Sequence, residues 1–116
     1  YRYSGSDTIG DIAWYVSNSG GTTNPVGTKV HNQLGIYDMT GNCYEWCWDW
    51  YGSTYYTTCN DLGTVTDPTG PTSSSDRVCR GGSWVDDVFK CRVALRNYFP
   101  HYSGGYDFSF RVVRTP

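Results

Sequence analysis

Arg77-Val78-Cys79-Arg80-Gly81-Gly82-Ser83-Trp84 is a strand-forming run that ends in two glycines and a tryptophan. Glycine weakens a strand and marks a tight bend or a place where another backbone comes close, because no Cβ stands in the way. The pair Gly81-Gly82 therefore predicts a strand over 77–84 that turns, or admits a neighbouring segment, just before Trp84. On either side, short runs rich in β-branched and aromatic residues predict strands over 34–37, 44–50, 91–96 and 108–114, and residues 11–15 suggest one helical turn. Between them stand clusters of turn formers such as Ser17-Asn18-Ser19-Gly20-Gly21, Asp67-Pro68-Thr69-Gly70-Pro71 and Ser103-Gly104-Gly105, too closely spaced for long helices. The expected class is α+β, mainly irregular antiparallel β with long loops. Two of these loops, 52–76 and 98–109, exceed ten residues, and loops of that length in a compact domain are more often functional than idle.

At 116 residues the chain is expected to form a single domain, 1–116, and a domain of this size buries about two-thirds of the surface its unfolded chain exposes. Five Trp, eleven Tyr and four Phe supply the bulk for that burial, at roughly 150–250 Å² per ring. The same rings suit interfaces, so their abundance reads either as a dense small core or as an adhesive surface. Trp46, Trp48 and Trp50 alternate along the strand at 44–50, which predicts one face directed into a core and the other toward a different layer. A net charge of −2 argues against a general nucleic-acid binder. There is no apolar run of the ~20 residues that a membrane-spanning helix needs. Tyr1-Arg2-Tyr3-Ser4-Gly5 is not a signal peptide, so any targeting segment is removed or lies upstream. Few Lys and Glu beside many Ser, Thr, Gly and Tyr match extracellular β domains, and an extracellular, cell-surface or virion location is expected.

Cys43, Cys47, Cys59, Cys79 and Cys91 are odd in number, so at least one is free or pairs outside the chain. Neither a CxxC motif nor zinc spacing is present, since His31 and His101 stand alone. One or two disulfides and buried reduced thiols both remain open. Arg92, Arg96, Arg111 and Arg114 lie beside apolar strand positions and read either as ion pairs with carboxylates such as Asp49 or as an anion site.

In chain order, Gly35-Ile36-Tyr37-Asp38-Met39-Thr40-Gly41-Asn42-Cys43-Tyr44-Glu45-Trp46 precedes Asp49-Trp50-Tyr51 and Asp67-Pro68-Thr69-Gly70-Pro71. Then come the Gly81-Gly82-Ser83-Trp84 stretch, Cys91-Arg92-Val93-Ala94-Leu95-Arg96 and Phe110-Arg111-Val112-Val113-Arg114. This series resembles the formylglycine-generating-enzyme (sulfatase-modifying factor) family, and the likeness covers nearly the whole chain from about Tyr3. The resemblance implies a C-type-lectin-like fold, of which this chain looks like the C-terminal portion. It implies a structural calcium held by the side chains of Asp38 and Glu45 and the carbonyls of Gly41 and Cys43. The residues alone allow another reading, in which Glu45 accepts backbone hydrogen bonds and Asp38 caps the turn. The family usually has Val- or Leu-like residues at Cys43 and Cys79, in what should be neighbouring strands, which implies these two as a disulfide pair.

The family's oxidase chemistry resembles a copper-thiolate mechanism that needs two cysteines in the loop after the Gly-Gly-Ser-aromatic motif. Here Val85-Asp86-Asp87-Val88-Phe89-Lys90 holds none, so no copper and no enzymatic activity are expected. Cys91 matches the structural cysteine that opens the next motif. Related iron-dependent enzymes of the superfold need three histidine ligands, and two isolated histidines cannot supply them. Asp86-Asp87 as an acid/base pair is disfavoured, because sequence neighbours usually point apart.

The same superfold serves the variable proteins of diversity-generating retroelements, whose randomised segment lies between the Gly-Gly-Ser-Trp and Phe-Arg motifs, here Val85 to Ser109. Randomised AAC-type codons do not reach Glu, Gln, Met or Trp, and none of these occurs in the window. With one Glu, one Gln and one Met in the whole chain that absence is weak support, and Lys90 is not reachable from such a codon. Tyr98, Phe99, His101, Tyr102 and Tyr106 sit in a Gly/Ser-containing loop with no alternating pattern to bury them, a composition like that of antibody-type paratopes. They form either a contact surface or a small core under the loop. The expected contact residues are Val85, Asp86, Asp87, Phe89, Leu95, Tyr98, Phe99, His101, Tyr102, Tyr106 and Asp107. The expected role is a receptor-binding or adhesin display domain, as on a phage tail or bacterial surface, with a protein or glycan ligand. The alternatives are a non-catalytic structural member of the family and the C-terminal part of an enzyme with reactive residues upstream.

Overall fold

The computed structural model describes residues 1–113, so the expected roles of Arg114 in a strand and an ion pair lie outside the described residues. In chain order the elements are helix α1 (Ile9–Ile12), strand β1 (Tyr44–Trp50), helix α2 (Tyr55–Leu62), and strands β2 (Asp76–Arg80), β3 (Asn97–Pro100) and β4 (Phe108–Ser109). The strands form one sheet in the order β3-β2-β1-β4. β1 pairs with β2 and β2 with β3 antiparallel, whereas β4 adds to β1 in parallel through Tyr44↔Phe108 and Glu45↔Ser109. The α+β class and its mainly antiparallel sheet match the sequence reading.

Several expected strands are shorter, shifted or absent. The run 34–37 is a turn, because the Asn32 side-chain oxygen takes the backbone N–H groups of Leu34 (2.9 Å) and Ile36 (3.0 Å). A sheet partner would need those same donors. The strand expected over 77–84 stops at Arg80, where Gly81 and Gly82 take positive φ. Residues 91–96 are a turn closed by Leu95 N–H to Arg92 O at 3.0 Å, with Val93 N–H tied to Arg2 O at 3.1 Å. The pairing starts only at Asn97, which places Tyr98 and Phe99 on a strand instead of in a loop. The loop expected over 52–76 contains α2, whose Thr-rich sequence has no apolar helical stripe and buries no residue. The Arg96 guanidinium over the Tyr56 ring (4.0 Å) and the Arg80 bond to the Tyr56 hydroxyl (2.8 Å) hold it down.

The tryptophan alternation of β1 also fails. Trp46 pairs with Cys79 and Trp50 with Arg77, so four steps on β1 oppose two on β2. Such a bulge re-aims side chains, and Trp48 is 84 % exposed while Trp46 and Trp50 are half-buried.

Burial concentrates in two places. Tyr44, Val78 and Cys79 are buried within the sheet, and Tyr44, Trp46, Phe99 and Phe108 pack as an aromatic group with ring centroids 4.8–6.5 Å apart. Tyr3, Ile12, Ala13 and Cys91 form the second cluster, joined by Ile9, Tyr15 and Val88. Two glycines allow the segments to close on each other. A Cβ at Gly82 would lie 2.7 Å from Cys91 Sγ, and one at Gly41 would lie 2.3 Å from the Trp14 carbonyl oxygen. Gly41 also has φ +73°. We therefore expect Gly41→Ala to destabilise the fold by about 3 kcal/mol or more, from strained backbone plus the clash. Urea denaturation measures it, and a loss below about 1 kcal/mol would show that this close approach is dispensable.

Candidate functional site

After Gly82 the chain enters the first half of the expected contact segment through a buried clamp. Asp86 Oδ2 accepts from the backbone N–H (2.9 Å) and hydroxyl (2.8 Å) of Ser83, and Asp86 Oδ1 lies 3.2 Å from Lys90 Nζ. Its carbonyl accepts the N–H of Val16 at 3.0 Å. Asp86 is buried, so it belongs to the scaffold and not to an accessible contact surface. Asp87 caps the next turn by accepting from Phe89 and Lys90 N–H at 2.9 and 3.1 Å. Val85, Asp87 and Phe89 remain exposed and Leu95 is half-buried.

The second half divides by direction. Phe99 points into the aromatic group at the sheet, so for this residue the small-core reading describes the structure. His101 meets Trp50 edge-on at 5.9 Å, and Tyr98 stacks on Tyr51 at 3.9 Å with its outer face exposed. Tyr102 and Tyr106 are 81 % and 95 % exposed. Asp107 is half-buried, and its carbonyl accepts the N–H of Tyr44 at 2.7 Å. Trp48 and Arg77, beside His101, were absent from the expected contact residues. Strict alternation puts Trp48 on the same face as Trp46 and Trp50, and only the bulge sets it apart.

The residues implied for calcium do come together. Asp38, Gly41, Cys43 and Glu45 all line a cleft of about 590 Å³ with Arg111. Asp38 Oδ2 accepts from Gly27 N–H at 2.7 Å, and both oxygens of Glu45 accept from Arg111 Nε at 2.6 and 2.7 Å. Arg111 donates further to the Tyr37 carbonyl at 2.8 Å. A guanidinium thus already matches the Glu45 charge, and in this arrangement the donor set does not fit a divalent cation. Among the described residues Arg111 is the arginine that pairs with a carboxylate, Glu45 in place of Asp49. Arg92 and Arg96 bond the carbonyls of Phe89 and Gly52.

All five cysteines are free thiols, which corrects the expected Cys43–Cys79 pair. The register sets Cys79 opposite Trp46, while Cys43 precedes the strand. Burial, reinforced by nearby anionic groups, pushes the Cys79 and Cys91 thiols up to about 12. Burial also raises Cys43 and Cys47.

The family model of the Sulfatase-modifying factor enzyme 1-like domain matches residues 2–116. Treponema denticola variable protein 1 superimposes with a TM-score of 0.79 at 36 % identity, over 94 % of this chain and 39 % of that one. Chaperone protein LppX of Paenibacillus barcinonensis is 32 % identical over 132 residues, 99 % of this chain and 42 % of that protein. The formylglycine-generating enzyme of Thermomonospora curvata is 34 % identical over 97 residues, 81 % of this chain and 32 % of that protein. The chain therefore spans less than half the length of each of these relatives.

Two outcomes follow for the site. Millimolar Ca²⁺ should leave the melting temperature of the wild type unchanged, whereas Arg111→Gln, by freeing Glu45, should gain a calcium-dependent rise; a rise in the wild type would show that Arg111 swings aside. The buried thiols keep their protons to about 12 when folded and to about 9 when unfolded. The unfolded chain then binds fewer protons between those values, so stability is full below pH 9 and falls toward pH 12. Denaturation at pH 8 and pH 10.5 should show the drop, and its absence would refute the buried-thiol assignment.

Proposed function

Because the chain belongs to the family of sulfatase-modifying factor enzyme 1-like domains, we propose that it acts as a non-catalytic, ligand-binding display domain that takes a protein or glycan at a cell or virion surface. Its fold is the α+β, C-type-lectin-like fold of that family. The observation that carries the reading is the group of outward-facing rings Tyr98, Tyr102 and Tyr106 on a Ser/Gly-containing segment anchored at both ends by the sheet. Rigid amphipathic rings give contact area at low entropic cost, and small polar neighbours adapt around them. Val85, Asp87 and Phe89 extend the accessible set. The likeness to a protein named a variable protein supports an adapted or diversified segment.

The thiols present do not suit catalysis. The loop after Ser83 has no cysteine, and Cys91 is fully buried with its proton held tightly, whereas a reactive thiol needs access and a lowered pKa. The likeness to formylglycine-generating enzymes favours a second reading, in which this stretch is the C-terminal part of an enzyme. The encoding DNA upstream of Tyr1 would separate the two, since a histidine ligand set or another complete reactive constellation there would favour the enzyme.

The triple variant Tyr98→Ala/Tyr102→Ala/Tyr106→Ala should keep the wild-type melting temperature within a few degrees. Phe99 and His101 are left unchanged because they pack against the sheet. Labelled wild type applied to a glycan array and to intact bacterial cells should bind at least tenfold more strongly than the triple variant. Equal binding, or unfolding of the variant, would remove the surface reading.

A further inference from the structure

The bulge in β1 opens a second aromatic surface, bordered by Tyr102 through His101 (5.3 Å between ring centroids) and separate from Tyr106. Trp46, Cys47, Trp48, Trp50, Arg77 and His101 line a cleft of about 360 Å³. Trp48 stands 84 % exposed at its edge, although a large ring is ordinarily buried for most of its surface. The Arg77 guanidinium lies 3.6 Å from the centre of the Trp50 ring and 5.2 Å from that of Trp48, and it donates to the Trp48 carbonyl. Stacking and that bond hold the cation in place between the two indoles. Arg77 pairs with no carboxylate among the described residues, and a guanidinium carries five N–H donors in a planar fork suited to a carboxylate.

We propose that this cleft binds a carboxylated sugar ring, of the uronic-acid kind found in acidic polysaccharides. One face of a pyranose is a flat patch of C–H groups that covers an indole and removes apolar surface from water. A ring carboxylate then meets the open donors of Arg77, and ring hydroxyls meet the His101 imidazole. The rigid sugar satisfies the cation and covers the exposed indole together, without the ordering cost of a flexible side chain. An acidic peptide side chain would reach Arg77 and leave Trp48 uncovered. The site goes beyond the display-surface reading and adjoins it where His101 meets the Tyr102 ring.

The test uses a glucuronic-acid oligomer, a neutral glucose oligomer and an oligoglutamate peptide, each titrated while the tryptophan indole N–H resonances are followed by NMR. The expected result is a saturable shift with the glucuronic-acid oligomer, at least tenfold weaker with the other two. Trp48→Ala should weaken it tenfold or more without lowering the melting temperature, since that ring lies outside the core. Arg77→Lys, which retains the charge and loses the fork, should weaken it several-fold. The single variant Tyr106→Ala, whose ring lines a separate cleft with Thr22, Thr23 and Trp84, should bind the oligomer as the wild type does, so that failure of the loop reading and failure of the cleft are told apart. An equal response to the neutral oligomer or to the peptide, no saturable shift, or undiminished binding by Trp48→Ala would overturn the proposal.

Discussion

The fold depends on a buried meeting of backbones around Gly41-Asn42. Gly41 N–H bonds the Gly81 carbonyl at 2.8 Å, Asn42 N–H bonds the Trp14 carbonyl at 2.7 Å, and Asn42 O accepts from Trp84 N–H at 2.8 Å. The Asn42 amide exchanges two further bonds with the backbone of Asn24, at 2.9 and 3.0 Å. Four segments distant in sequence thus satisfy one another's polar groups in a place shielded from water, where an unmade bond is costly. Only residues without a Cβ, or tolerant of positive φ, can occupy Gly41 and Asn42 at such close quarters. With so little regular structure, this junction performs the positioning that longer helices and strands would otherwise provide.

From it the sheet extends as a narrow platform, and the arginines determine what rests on it. Arg96 stacks on Tyr51 and Tyr56, Arg80 bonds Tyr56 and the carbonyls of Val93 and Leu95, and Arg77 lies over Trp50. These guanidinium groups serve carbonyls and ring faces more than carboxylates, which suits a chain in which Glu45 is the sole glutamate. The consequence is a division of the aromatic residues. Phe99, Phe108 and Tyr44 pack inward, while Trp48, Tyr102 and Tyr106 are left in water.

That division separates scaffold from surface inside one continuous segment. Between Ser83 and Ser109 the buried Asp86 and Cys91, Val88 and Arg96, and the inward Phe99 and Phe108 act as anchors, and Val85, Asp87, Phe89, Tyr102 and Tyr106 stand outside these contacts in water. The backbone under these exposed side chains is held by bonds to other segments and not by the side chains themselves.

By itself the sequence determined the fold class, the family, the extent of β1, the close approach at Gly82 and the absence of thiols in the loop after Ser83. Each of these is written locally, as an ordered motif, a strand-forming run, a missing Cβ or a missing side chain. The tertiary structure alone decided that Asp86 is buried, that Phe99 points inward, that Trp48 points outward, that Arg111 occupies Glu45, and that 34–37 and 91–96 are turns. Those outcomes depend on which group, near or far along the chain, takes a given donor or fills a given face. A two-residue slip between paired strands, or an asparagine side chain competing for backbone N–H groups, leaves no periodic trace along the chain.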